Sequence, residues 1–315
     1  MKTYRITIET LTAFGTPLVG DTLFGQICWG IRHQFGNERL ETLLQGYPEN
    51  QPFLVVSNAI PNGYIPLPTI PSNLWQEGDE KDRKKLKKKK WLDKNAIEEP
   101  TTIWQQKAVT ESDISDFNVK NSTQPHNSIN RATSTTDNQS FAPYSQSQIW
   151  YGKETKLDLY IVLDEKRFSL DDLKTVLKNI GTFGYGRDAS VGLGKFKIVE
   201  NDIQAVQLSQ KNANCYLTLA NCSPVNNGLE PNRSFYQIET RFGRHGDMDA
   251  LSGQPFKKPI ILAKMGAIFT PLNFEEKLFI GNGLTNVSHS NDKAVHQGYS
   301  SVIALHIDFK EDNNE

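Results

Sequence analysis

Cysteine is scarce in this chain: Cys28, Cys215 and Cys222 are its only three in 315 residues. An odd number without a CxxC pair excludes a disulfide framework and a cysteine zinc site. A long apolar run is also missing. The opening MKTYRITIET alternates like a strand instead of forming a secretory leader, and no stretch reaches membrane-spanning length. These absences predict a soluble, cytoplasmic protein with no membrane partner. No excess of one charge is present either. The formal net charge is −1, from 35 basic and 36 acidic residues, so any nucleic-acid role must use a local patch. The catalytic patterns HExxH and GxSxG are missing, as is a His-Asp metal pair, and the residues call for no cofactor and no metal.

What is present is glycine, concentrated in one place. Gly181 to Lys197 reads GTFGYGRDASVGLGKFK, with five glycines beside Arg187, Lys195 and Lys197. Glycine tolerates positive φ and lets backbone approach a ligand closely. Such a loop can aim N–H groups at phosphate oxygens while the cations supply charge. The flanks decide which ligand. Ser169 to Ile180 reads as a helix opened by a capping box of Ser169 and Asp172, with Leu170, Leu173, Val176, Leu177 and Ile180 on one stripe. Lys195 to Val199 alternates like a strand. The order helix, glycine loop, strand is the reverse of both nucleotide-binding loops, and Phe196 stands where a P-loop has Ser or Thr. Both nucleotide readings fail. The plain alternative is a tight connection whose glycines serve only turn geometry.

Upstream, Tyr4, Ile6 and Ile8 alternate over a strand at about residues 3 to 10. The loop from Thr12 to Gly20 leads to Asp21, an N-cap residue type. The helix that follows carries Phe24, Ile27, Cys28, Ile31 and Phe35 on one face, which assigns Cys28 to the core. Its N-terminus, Gly20 to Thr22, is a place to receive a phosphate. A second helix is expected over Asn37 to Leu44, a buried strand over Phe53 to Ile60, and an extended stretch over Tyr64 to Pro71, which holds three prolines.

Residues 76 to 148 interrupt this regularity as an insertion. Lys81 to Lys90 holds eight basic residues in ten. It reads either as a solvated, mobile charge run or as a basic finger for a phosphate backbone. Residues 121 to 148 are so rich in Ser, Thr, Asn and Gln that composition predicts disorder. Within them His126, Asn127, Asn130 and Arg131 cluster as donors suited to phosphates and bases. Regular structure resumes with Leu157, Leu159, Ile161 and Leu163. Residues 1 to 200 therefore give β-α-β, an insertion and β-α-β, the split βαβ order of a ferredoxin-like domain. No RNP aromatic pattern marks the sheet face as an RNA platform. From Cys215 onward strands are expected near 215–221, 234–242, 259–269, 276–280 and 301–309, with no clear amphipathic helix. Arg241 to His245 and His296 to Tyr299 read as polar and aromatic punctuation between them. The expected fold class is α+β: a ferredoxin-like, RRM-like domain over 1–205 with a glycine-rich loop, then a sheet-rich, degenerate ferredoxin-like domain over 206–315.

Three features in order carry a family resemblance: Gly20-Asp-Thr-Leu-Phe-Gly25 opening a helix, His126-Asn-Ser-Ile-Asn-Arg131, and Gly184-x-Gly186 followed by Gly192-x-Gly194 before a strand. They resemble the RAMP superfamily of CRISPR proteins, and within it the Csm-type subunit that caps the 5′ end of guide RNA in type III effector complexes. The resemblance covers residues 1 to 200 well and the rest loosely. It implies a non-catalytic RNA-binding subunit. Its implied partners are the guide RNA 5′ handle, the large polymerase/cyclase-like subunit and a backbone subunit of the filament. Carried over by motif, Gly184, Gly186, Gly192 and Gly194 would approach handle phosphates and Arg187 and Lys195 would neutralise them. Gly20, Asp21 and Thr22 would line the same pocket, and His126, Asn130 and Arg131 would contact bases or phosphates. Some members of the superfamily are metal-independent ribonucleases. That alternative would need His126 with Arg131, or His245 with Arg244, as an acid and clamp.

Overall fold

The computed structural model describes residues 1–78, 82–136, 141–225, 227–246, 250 and 253–309. In chain order the elements are β1 (Lys2–Thr10), α1 (Gly20–Phe35), α2 (Asn37–Leu44), β2 (Leu54–Val56), β3 (Ile60–Pro61), β4 (Tyr64–Pro66), α3 (Arg83–Lys88), β5 (Trp91–Asp93) and α4 (Trp104–Lys107). They continue with β6 (Val119–His126), β7 (Tyr144–Tyr151), β8 (Lys156–Leu163), α5 (Leu170–Phe183), β9 (Phe196–Ala205), β10 (Cys215–Thr218), β11 (Ile238–Arg241), β12 (Ile260–Ala263), β13 (Ile268–Phe269), β14 (Phe279–Leu284) and β15 (His296–Leu305). Helices and several antiparallel sheets thus mix along the chain. No described helix is long and apolar enough to cross a membrane.

The first sheet runs β2-β8-β1-β9, with every neighbouring pair antiparallel. Alternation explains one face of it. Tyr4, Ile6 and Ile8 of β1 and Leu159 and Ile161 of β8 share a core with Leu23, Phe24, Ile27 and Ile31 of α1 and with Leu173, Val176 and Leu177 of α5. The apolar stripes read from the sequence are the stripes that face this sheet. α5 runs three residues beyond Ile180, and Gly181 lies inside it instead of in the loop. A Cβ there would stand 2.2 Å from the Phe196 carbonyl oxygen, so only glycine lets helix and strand pack this closely.

The opposite face of the sheet is polar but not wet. Arg5, Thr7, Asp158 and Tyr160 are all buried. Arg5 pairs with Asp158 at 3.5 Å and with Asp202. Thr7 Oγ1 donates to either carboxylate (2.7 and 2.8 Å), and Asn62 Nδ2 and Gly63 N donate to Asp158 at 2.9 and 3.0 Å. A register shift in the β1–β9 ladder between Ile6 and Ile8 accompanies the arrival of Asp202 at this cluster. The face on which RNA-recognition modules bind RNA is therefore covered.

Part of what covers it comes from the insertion, whose Trp91, Leu92, Trp104 and Ile114 are buried. Leu74, Trp75, Trp91, Leu92, Trp104 and Ile114 form a second core with Tyr160 of β8 and with Cys215, Leu217, Ile303 and Leu305. β5 pairs with β4, and the basic stretch preceding it is partly ordered as α3, capped by Asp82. Lys81 lies outside the described residues. The second sheet, β13-β10-β15-β14, packs on this shared core. Gln297 of β15 mimics a strand partner for β2, accepting from Val56 N at 2.9 Å and donating to Val56 O at 2.8 Å.

The disorder predicted for residues 121 to 148 is also corrected. β6 and β7 pair in register from Val119↔Tyr151 to His126↔Tyr144. Their side chains are polar because both faces of this two-stranded ribbon are largely exposed. Its base is fixed by Phe14, whose N and O exchange hydrogen bonds with Ile149, both at 2.8 Å. Backbone pairing makes this hairpin, and composition does not report it.

Candidate nucleic-acid interface

Residues 184–195 fold back on themselves and on the loop before α1. Gly184, Gly186, Gly192 and Gly194 all have positive φ, from +74° to +111°. At Gly194 the requirement is twofold, because a Cβ would also meet the Tyr185 carbonyl oxygen at 2.1 Å. At Gly192 nothing lies within 4 Å, and the constraint is φ alone. Tyr185 is the buried pin between them. Its N–H donates to Gly194 O at 2.9 Å and its hydroxyl to Pro17 O at 2.8 Å. Burial pushes its pKa upward, which keeps the hydroxyl a neutral donor.

Two threonines clip the loop. Thr16 Oγ1 accepts from Arg187 N at 3.0 Å, and Thr12 Oγ1 accepts from Lys195 N at 2.9 Å. Gly194 N donates to Ala13 O at 2.7 Å. Most loop amides are thus spent internally. Those of Gly186, Asp188, Ala189 and Ser190 donate to no described residue, and they sit together at the tip beside Arg187. Arg187 is exposed, 3.1 Å from Asp188 Oδ2, and its Nη2 donates to Ser147 O at 2.7 Å. The half-buried Lys195 forms no ion pair with a described residue, whereas Lys197 is paired with Glu9 at 2.9 Å.

Arg187 thereby joins the glycine loop to the hairpin. His126 and Tyr144 face each other three pairs farther out, about 10 Å at strand rise. Their rings stack at 5.3 Å with an interplanar angle of 12°, and His126 Nε2 is buried without a hydrogen bond among the described residues. Asn130 is turned inward on its own loop, its Oδ1 accepting from Ala132 N at 2.9 Å. Arg131 is exposed. The structure brings Arg187, the loop tip and the hairpin onto one surface.

The start of α1 lies next to Tyr185, but its residues are not free donors. The helix begins at Gly20, two residues earlier than a cap at Asp21 requires, and Val19 occupies the cap without a side-chain bond. Gly20 is pressed against Val56 O, at 2.3 Å from a Cβ, and its N–H donates to Asn58 Oδ1 at 2.8 Å. Asp21 is buried and forks with Arg241: Nε to Oδ2 at 2.8 Å and Nη2 to Oδ1 at 3.0 Å. Arg241 Nη2 also reaches Thr22 Oγ1 at 3.0 Å, and His296 Nε2 stands 3.3 Å from Asp21 Oδ2 without hydrogen-bond alignment. Burial alone would raise the Asp21 pKa. His296 and Arg241 outweigh it and hold the carboxyl well below the usual carboxylate range. Arg241 and His296, which the sequence offered only as punctuation between strands, are the residues that dock the second half onto α1. No local pattern signals this, since 220 residues separate Asp21 from Arg241.

A family model, the RAMP superfamily, matches residues 5–197. The chain belongs to the RAMP superfamily. The matched span of this RAMP protein runs from β1 into β9 and includes the glycine loop, the hairpin and the α1 N-terminus. No curated protein matches it. Among solved structures it is similar to a chain of the Csm1-Csm4 cassette in complex with AMPPNP, at 15% identity over 97% of this chain and 99% of that one, with a TM-score of 0.59. It is equally similar to a chain of the Csm3-Csm4 subcomplex in the type III-A CRISPR-Cas interference complex, at 15% identity, 97% and 100% coverage and a TM-score of 0.59. At these identities the likeness is one of fold. It extends well past residue 197, through the strands of the second half.

The six histidines lie in different settings. His33 stacks on Trp29 at 5.9 Å, His126 on Tyr144, and His245 Nε2 contacts Ser288 Oγ at 2.9 Å. His296 faces Asp21, His306 Nδ1 contacts Asn212 O at 2.8 Å, and His289 is exposed. Among the described residues no cluster of three or more His, Cys, Asp or Glu is arranged to hold a metal ion.

Proposed function

We propose that this RAMP protein is a non-catalytic, Csm4-like subunit of a type III CRISPR effector complex that holds the 5′ handle of the guide RNA. The observation that carries the reading is the surface joined by Arg187: four unspent amides at the glycine-loop tip, a guanidinium, and the stacked pair His126 and Tyr144 one hairpin segment away. Amides and cation suit phosphates, and a stacked ring at a hairpin end suits a base. Gly184, Gly186, Gly192 and Gly194 shape the loop, and Arg187 and Lys195 supply charge. Arg131 adds a contact from the hairpin end. Asn130 shapes that end, while Gly20, Asp21 and Thr22 position the pocket wall through Arg241.

Csm4 is common to the two solved complexes cited above, one with Csm1 and one with Csm3. On that basis the partners proposed here are a large polymerase/cyclase-like subunit and a backbone subunit of the filament. The strand order β2-β8-β1-β9 with α1 and α5 on one face supports a ferredoxin-like domain over 1–205. Residues 206–315 form the β-rich second domain in this reading.

The test is recovery of the tagged protein from its host with mapping of co-purified RNA ends, beside an Arg187→Glu, Lys195→Glu variant. Guide RNAs sharing a repeat-derived 5′ tag, depleted in the variant, are the expected result. Cleavage of repeat RNA by the isolated chain, lost on His126→Ala, would replace this reading with a ribonuclease. Recovery of no RNA would overturn both.

A further inference from the structure

The basic stretch at α3 is absorbed by neither the fold nor the proposed guide site. Arg83, Lys84, Lys87 and Lys88 are exposed and form no ion pair with a described residue. Several other surface lysines are paired, as in Lys2–Glu165, Lys107–Glu99, Lys174–Asp171 and Lys178–Glu200. On α3 the spacing does the opposite. Arg83 and Lys87, like Lys84 and Lys88, are four residues apart on one helix, where like charges repel. The helix is nevertheless held in place. Asp82 accepts from Lys84 N at 2.8 Å, Leu86 is half-buried, and Lys89 Nζ donates to the carbonyls of Gln105 and Gln106 at 3.2 and 2.9 Å. Trp91 then buries its ring in the second core. A self-repelling turn fixed to a rigid base is a preformed cationic surface.

We propose that α3 is a second RNA contact, binding the phosphate backbone without regard to sequence. It is separate from the glycine-loop surface, and the proposal does not rest on that reading. α3 is rooted in the second core through Trp91, whereas the glycine loop is rooted in the first core through Tyr185. No hydrogen bond or ion pair among the described residues joins Arg83, Lys84, Lys87 or Lys88 to the loop or the hairpin. Phosphate fits better than an acidic protein surface. Protein interfaces are depleted in lysine and centre on apolar or aromatic anchors, and α3 exposes neither. With no aromatic residue on the helix to stack a base, the contact reads charge and not sequence.

The experiment measures fluorescence anisotropy of oligo-U and oligo-A RNAs against the full chain over a range of KCl concentrations. Lys84→Gln/Lys87→Gln/Lys88→Gln is compared with wild type and with Arg187→Ala. Losing three phosphate contacts should weaken both RNAs about tenfold and flatten the slope of log Kd against log salt by about 2. Arg187→Ala should keep most of that slope. The replaced side chains are exposed, so the thermal midpoint of the triple variant should match or exceed that of wild type. An unchanged affinity and slope in the triple variant would overturn the proposal. So would competition by polyglutamate at the concentration where RNA competes, which would make α3 an acidic-protein contact instead.

Discussion

The Arg241 guanidinium grips Asp21 from across the molecule, with Nε 2.8 Å from Oδ2 and Nη2 3.0 Å from Oδ1. One residue opens the first helix and the other ends a strand in the second half. The pair therefore ties the wall of the proposed guide pocket to the second sheet-rich unit. Asp21→Asn should cost about 2–3 kcal/mol at neutral pH, because a half-buried guanidinium loses its counter-charge. The native carboxyl is depressed below its unfolded value, so its contribution is complete above about pH 5 and is lost progressively as pH falls further. Urea melts of both proteins should show the gap narrowing between about pH 5 and pH 2. A gap independent of pH would mean that the charge is not what the pair contributes.

The glycine loop offers a within-loop comparison. Gly194→Ala forces a Cβ to 2.1 Å from backbone at a φ of +75°, and Gly192→Ala meets no atom within 4 Å at a φ of +99°. Gly192→Ala should cost about 1 kcal/mol, from backbone strain alone. Gly194→Ala should cost at least twice that and lower RNA recovery as the loop shifts. Equal costs in urea would show that the loop relaxes around the added methyl.

Asp158 accepts from Thr7, Asn62 and Gly63 and pairs with Arg5, all beneath the second core. Asp158→Ala should destabilise by about 3–5 kcal/mol, since Arg5 would be left buried with a partial partner. A Thr7→Val, Asp158→Ala double variant should fall short of the sum of the single effects, because both changes break one network. Strict additivity in chemical melts would deny that network.

Gln297 supplies β2 with the two hydrogen bonds that a neighbouring strand would have made. Gln297→Leu should cost about 2–4 kcal/mol by leaving the buried Val56 N–H and C=O without partners. Amide exchange at Val56 should accelerate more than at Ile161, its ladder partner in β8. Unaltered exchange at Val56 would show that these bonds contribute nothing.

Local order along the chain was legible in the residues. The α2 limits, the apolar stripes of α1 and α5, the Ser169 cap and the alternation of β1 and β8 all depend on neighbours within a few positions. The glycine spacing likewise marked a loop that must turn tightly. Period and cap chemistry are short-range, so composition and spacing carry them. Residues 119–151 were not legible. A two-sided, solvated hairpin has no apolar face, and only its ladder and the Phe14–Ile149 bridge reveal it.

Tertiary structure alone decided the rest. It buried the polar face of the first sheet beneath a core that the insertion helps to build. It turned Asp21 from a helix cap into the counter-charge of Arg241, and it set Arg187 across from Ser147. Each of these depends on groups far apart in sequence meeting in a low-dielectric or sterically fixed setting. No local window contains the distance between them, so the sequence by itself determined the elements and the family, and packing chose the surface they form.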